Sequence, residues 1–538
     1  RNTYLLPLLG RRTTTTFKTT PRLLVPHLLL STFNPCLANM EAYKKLETIF
    51  TKVYRLDHFL GLGNWDMNTN MPPKGEESRG EAMAMLSELR FGFITAPEVK
   101  SLIESATKGS EELNAVQRAN LREMRRAWKS ATALPAEFVG RKMRLTTHAH
   151  SVWRDSRKAN DFAKFLPVLR DLVALAREEG SYLAAGTSLS PYEALMNEYE
   201  PGITTQKLDE VYANVKSWLP QLLKDIVQKQ SGESVIAFSH KFPQDKQEAL
   251  CKEFMKIWHF DTDAGRLDVS PHPFTGMTKE DCRLTTNYIE DTFVQSLYGV
   301  IHESGHGKYE QNCGPREHIT QPVCNARSLG LHESQSLFAE FQIGHATPFI
   351  DYLTTRLPEF FEAQPAFSQD NMRKSLQQVK PGYIRVDADE VCYPLHVILR
   401  YEIERDLMEG KMEVEDVPRA WNAKMQEYLG LSTEGRDDVG CLQDVHWSMG
   451  ALGYFPTYSL GAMYAAQIMA SIRKELGDDK VDECLRTGEL GPLLEKQQEK
   501  IWDHGCLYET DDLMTRATGE TLNPEYLRRH LEARYLNA

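Results

Sequence analysis

The chain has no CxxC pair, no apolar run long enough to cross a bilayer and no excess of positive charge. Each absence closes a class of function. Its nine cysteines (36, 251, 282, 313, 324, 392, 441, 484 and 506) are odd in number and widely spaced. That pattern gives neither a disulfide framework nor a thiolate zinc site, and it points to a reducing compartment. The nearest approach to a membrane span, Leu23 to Leu30, is interrupted by Pro26 and His27. Net charge is −12, and residues 40–538 carry 58 basic against 75 acidic groups. An acidic body argues against nucleic acid or an anionic membrane as the main partner, while charge around a cleft can still suit a peptide.

Residues 1–39 differ from the rest. They hold five basic groups (Arg1, Arg11, Arg12, Lys18, Arg22), no acid and a run of threonines from Thr13 to Thr16. This is the composition of an organelle transit peptide, which puts the protein in a mitochondrion or plastid; without it a cytoplasmic location is expected. Two alternatives are a secretory signal, with Leu28 to Leu30 as its apolar part, and translated upstream sequence ahead of a start at Met40.

From Met40 the text is mainly helical. Phe162, Phe165, Leu166, Leu169, Leu172, Val173 and Ala176 recur at three and four, with Asn160 and Asp161 as caps. Residues 203–228 and 397–429 have comparable spacing. Strand-like alternation is sparse, and 265–289 is the best candidate for a short hairpin or edge. With no repeat and no Gly/Ser- or Pro-rich linker, residues 40–538 read as one large, predominantly α-helical unit.

Within it stands His302-Glu303-Ser304-Gly305-His306. A helix turns once in about 3.6 residues, so two imidazoles four apart share a face and can share one metal ion. Glu303, between them, can hold a water without being a ligand, and zinc lowers the pKa of such a water towards ~7. Phe293, Leu297 and Ile301 put the motif on a helix with an apolar side. Gly305 and Gly307 weaken that helix by ~1 kcal/mol each, a cost that fits something approaching its backbone closely. Two histidines need a third protein ligand. A downstream histidine in the HExxHxxGxxH manner is excluded, because Tyr309 and Asn312 stand at those positions. A second helix, Gly330 to Glu340, offers Glu333 as first candidate and Glu340, two turns on, as competitor; Glu310 is too near the first helix to fold back. His332 and Glu333, side by side amid Leu329, Leu331, Leu337 and Phe338, are not expected both to face solvent.

Three further polar constellations are Asp281-Cys282-Arg283-Leu284-Thr285, Ile384-Arg385-Val386-Asp387-Ala388-Asp389 and Gly440-Cys441-Leu442-Gln443-Asp444-Val445-His446-Trp447. Together with HExxH and His332-Glu333-Ser334-Gln335 they resemble, in order, the five motifs of the carboxypeptidase Taq family: DxRxT, HExxH, HES followed by Gln, IRxxAD and GxxQDxHW. Trp65-Asp66, Met71-Pro72-Pro73, Tyr199-Glu200-Pro201-Gly202 and Gly453 to Gln467 extend the resemblance across about residues 41–535.

The resemblance implies a zinc metallocarboxypeptidase that releases single C-terminal amino acids from peptides. His302, His306 and Glu333 ligate one zinc per chain, for which cobalt can substitute, and Glu303 acts as general base. Arg385 binds the terminal carboxylate. His446 donates to the oxyanion or the substrate backbone. Arg283 and Gln443 are further substrate-binding candidates, with Asp281 and Asp444 as scaffold. An almost wholly helical fold with a deep cleft, a small sheet at the site and a homodimer are also implied. The rival readings are an endo-oligopeptidase with the same chemistry and a non-catalytic peptide-binding protein.

Overall fold

Short polar side chains set the helix ends. Asn160 takes a left-handed conformation (φ 53°) that closes the helix Ala136–Ala159, and the Asp161 side chain accepts from Lys164 N to open Phe162–Ala184. The structure, a computed structural model, describes residues 35–537, so the readings made of residues 1–34 lie outside it. The first helix, Pro35–Thr69, starts ahead of Met40.

Twenty α-helices, one π-helical segment, nine short 3-10 helices and one three-stranded sheet account for the regular structure among the described residues. The fold is thus predominantly helical, with the small sheet where alternation suggested it: β1 (Gly265–Val269), β2 (Thr275–Thr278) and β3 (Asp281–Thr286). β3 is central, parallel to β1 and antiparallel to β2. The stretch 203–228 forms one helix, Thr205–Gln230. The stretch 397–429 falls in two, Tyr393–Met408 and Val417–Leu429, separated by a turn with Gly410 at φ 69°.

The sheet is a spacer between the first helix and the HExxH helix, Val294–Asn312. On one side Arg283 stacks over Trp65 (4.3 Å to the ring centroid) and Asp281 meets His58 at 3.1 Å. On the other, the hydroxyl of Thr286 donates to Ser296 O and that of Thr275 reaches Glu303. The main core continues from Phe165, Leu169 and Leu172 through Val300 and Ile301 to Leu460 and Ile468. A smaller core, with Tyr43, Leu46, Phe50, Val99, Ile103 and Met124, holds the N-terminal helices together. Cysteines 251, 282, 313, 324, 392, 441, 484 and 506 are buried free thiols. Among the described residues no helix is long and apolar enough to cross a membrane.

Candidate metal centre

The HExxH helix runs antiparallel to the segment Leu329–Gly344, which begins as an α-helix to Leu337 and widens to a π-helix over Phe338–Gly344. Their contacts step along the two elements in opposite senses. His306 meets His332, Gly305 faces Gln335, His302 meets Glu340, and the Tyr298 hydroxyl donates to Gly344 O. A Cβ at Gly305 would lie 2.3 Å from Gln335 O and 2.6 Å from Ser336 Cα, both backbone atoms. The glycine is therefore what lets the two helices approach.

Close approach brings His302, His306 and Glu333 together, with one ligand atom from each inside 4.8 Å of the others. Glu333 Oε2 is 3.4 Å from His306 Nε2 and 4.0 Å from His302 Nε2. The opposite nitrogens are engaged elsewhere: His302 Nδ1 lies 2.8 Å from Glu340 Oε2, and His306 Nδ1 lies 2.6 Å from His332 Nδ1. Both Nε2 atoms thus turn to the same point as the carboxylate. Two imidazoles and a carboxylate, with the far side of each ring held by a hydrogen bond, form a donor set that fits zinc.

The charges support one another. Burial pushes Glu333 up, but the bond to His306 and the neighbouring imidazoles outweigh it and hold the carboxyl at about 2. Burial pushes His302 down, yet the Glu340 hydrogen bond and the charge of Glu333 raise it to about 10. His306, whose direct neighbour on the far side is another imidazole, is lowered by burial.

Glu303 is buried, and Thr275 Oγ1 lies 2.5 Å from its Oε2 and 3.0 Å from its carbonyl oxygen. A cavity of about 750 Å³ opens over these groups, walled by Phe274, Leu337, Phe341, Arg385, Tyr393, Tyr454 and Tyr458 among others. Arg385 is 5% exposed and stays charged. Its Nε donates to Asp444 Oδ1 (3.1 Å), its face lies 4.5 Å from the Tyr458 centroid, and its terminal nitrogens make no hydrogen bond to another described residue.

The remaining candidates sit farther back. His446 does not line the cavity; its Nε2 is 3.1 Å from the Tyr458 hydroxyl, which does. Burial, aided by Arg385 and Arg400, lowers His446 to about 4 and keeps it neutral. Gln443 is absent from the wall too: its amide nitrogen donates to Tyr383 O and Val439 O, and its oxygen accepts from Arg385 N. Arg283 pairs with Asp281 (2.7 Å) beside Trp65. Asp444 lies between Arg385 and the fully buried Arg400; burial opposes its charge, but the two guanidinium groups hold it well below the usual carboxylate range. Glu200 accepts from Gly330 N at 3.0 Å and so secures the start of the Glu333 helix.

Sequence reasoning did not single out Thr275 or Tyr393, and it gave no individual role to Tyr454 or Tyr458. The last two fall in the stretch that follows His446, which was the available signal. Glu340, the competing ligand candidate, bonds to His302 instead, and Glu310, on the HExxH helix itself, reaches His332 at 2.7 Å.

A helical cleft, three side chains placed to hold a metal ion and an adjoining carboxylate are the parts a metallopeptidase requires. Residues 45–535 match the family described as carboxypeptidase Taq (M32) metallopeptidase. Carboxypeptidase 1 of Bacillus subtilis is 34% identical over 506 residues, covering 93% of this chain and 99% of that protein. Thermostable carboxypeptidase 1 of Thermus thermophilus is 33% identical, covering 92% and 98%. The solved structure of Trypanosoma cruzi metallocarboxypeptidase 1 superposes with a TM-score of 0.91 at 60% identity, covering 92% of this chain and all of the other. The chain belongs to the carboxypeptidase Taq (M32) family and is a metallocarboxypeptidase.

Proposed function

We propose that the protein removes single amino acids from the free C-terminus of peptides, using one zinc ion held by His302, His306 and Glu333. When bound there, zinc supplies Lewis acidity toward a water and toward the scissile carbonyl. Glu303 takes the proton of that water. Its Oε2 is held by Thr275, which leaves Oε1 to carry the proton and deliver it to the leaving amine. Arg385 docks the terminal carboxylate: Asp444 fixes its Nε side, Tyr458 supports its face, and two terminal nitrogens are left for paired hydrogen bonds. Tyr458 and Tyr393 offer hydroxyls to the developing oxyanion, and His446 acts through Tyr458. Gln443 shapes the loop that presents Arg385, while Arg283 and Asp281 hold the sheet against the first helix. We extend the proposal to a homodimer on family membership, and to residues 40–538 as the catalytic unit.

The observation that carries the exopeptidase reading is Arg385, a buried cation on the wall of the cavity over the His-His-Glu group, with both terminal nitrogens unengaged among the described residues. Capping a peptide's C-terminus as an amide tests it. A carboxypeptidase loses most of its activity on the capped peptide; undiminished cleavage within the chain identifies an endo-oligopeptidase.

A further inference from the structure

Between His306 and Glu310, one turn apart on the HExxH helix, lies a third imidazole from the facing helix. His306 Nδ1 is 2.6 Å from His332 Nδ1, and His332 Nε2 is 2.7 Å from Glu310 Oε1. All three side chains are at most a quarter exposed. The His332 ring packs 4.6 Å from that of His306 and 5.5 Å from that of Tyr309.

Two ring nitrogens this close form a hydrogen bond only if one carries a proton and the other offers a lone pair. Glu310, whose Oε1 lies 2.7 Å from His332 Nε2, is a carboxylate and so the acceptor of that bond. His332 therefore holds its proton on Nε2 and turns the Nδ1 lone pair to His306. His306 then carries its proton on Nδ1, and its Nε2, the atom 3.4 Å from Glu333, is bare. With a cation on Nε2, this one arrangement satisfies every donor and acceptor in the row. His302 is fixed differently, by direct contact with Glu340.

We propose that His332 and Glu310 are positioning residues for the metal: a two-step relay that sets the tautomer and ring angle of His306 and so tightens cation binding. The proposal rests on the reading that His302, His306 and Glu333 hold the ion. It also gives His332, unused by the mechanism above, a physical reason to stand beside Glu333.

The test is the dissociation constant for Zn²⁺, measured on metal-stripped full-length protein by competition with a chromophoric chelator. His332→Phe keeps the ring packing and removes both nitrogens; Glu310→Met removes the terminal acceptor; Glu310→Gln keeps an oxygen to accept from His332 without the charge. His332→Phe and Glu310→Met are expected to bind Zn²⁺ roughly 10–100-fold more weakly, and Glu310→Gln less weakly than either. The rise in melting temperature on adding Zn²⁺ shrinks in the same order. Should His332→Phe fail to fold, the two Glu310 variants decide. All folded variants within twofold of the unsubstituted protein overturn the relay. His306→Ala binding Zn²⁺ as tightly as the unsubstituted protein overturns the ligand assignment beneath it.

Discussion

Thr275 Oγ1 lies 2.5 Å from Glu303 Oε2, so the acid of the HExxH motif is held by strand β2 as well as by its own helix. A hydrogen bond to a charged group is worth about 1.5–3 kcal/mol, and in the proposed reaction, where Glu303 receives and returns a proton, one fixed orientation is an advantage. Thr275→Val, which keeps the shape, is expected to lower kcat by roughly tenfold or more with KM and metal content unchanged. Thr275→Ser restores most of it. Steady-state kinetics on a free-terminus peptide checks both.

Arg385 should separate recognition from chemistry. Lysine keeps the charge but cannot make paired hydrogen bonds, so Arg385→Lys is expected to cost roughly 10–100-fold in kcat/KM on free-terminus peptides. The residual activity on amidated peptides stays as it was. Comparing the two substrates in the same assay reads the difference.

Gly461, on the helix Pro456–Leu476, packs behind Glu333, the proposed metal ligand: a Cβ there would lie 2.7 Å from Glu333 Cγ and 2.8 Å from Glu333 Cβ. Gly461→Ala forces an overlap costing about 1–3 kcal/mol, relieved most easily by moving the Glu333 side chain. Weaker metal retention on dialysis is expected, with the far-ultraviolet circular dichroism of a helical protein preserved. Unchanged metal retention contradicts this packing argument.

How much of this site could be read beforehand follows from where its information resides. His302, His306 and the face they share come from one helical repeat, and Glu333 from a second helix close in sequence, so local periodicity was enough to nominate them. Sparse strand-like alternation over 265–289 likewise marked the place of the sheet, as a short hairpin or edge, without the parallel pairing of β1 and β3. Glu340 is different. Its spacing from Glu333 suited a ligand, but the antiparallel approach of the two helices delivers it to the far nitrogen of His302. Thr275 and Tyr458 depend on contacts between distant segments, which no spacing rule encodes. The resemblance set Arg385 and His446 ahead of Arg283 and Gln443, but as polar residues in short motifs the sequence itself did not rank them. Burial and partners rank them, since only Arg385 reaches the cavity wall. Gly305 was legible as a cost before its cause, the backbone at Gln335, could be seen.

Acid sensitivity has a structural source near the C-terminus. Glu390, 3% exposed, accepts from His530 Nε2 (3.0 Å), Arg534 (2.6 Å) and the Tyr535 hydroxyl (2.7 Å). Burial opposes its charge, yet Arg534 and His530 hold it far below the ordinary glutamate value, and burial lowers His530 as well. In both cases the unfolded chain binds the proton first, so stability falls as pH drops. The His530 contribution is lost below about 6.5 and the Glu390 contribution progressively below about 4.5. Glu390→Gln is expected to be less stable at pH 7 and to lose less on going to pH 4, as read from urea midpoints at the two pH values.

Metal content measured on the purified protein and on Glu333→Gln bears most directly on the claim that three side chains close one cation site. The expected result is one equivalent of zinc per chain in the first and a large loss in the second, with peptide hydrolysis falling in parallel. A Glu333→Gln variant that keeps its full equivalent and its turnover would contradict the account.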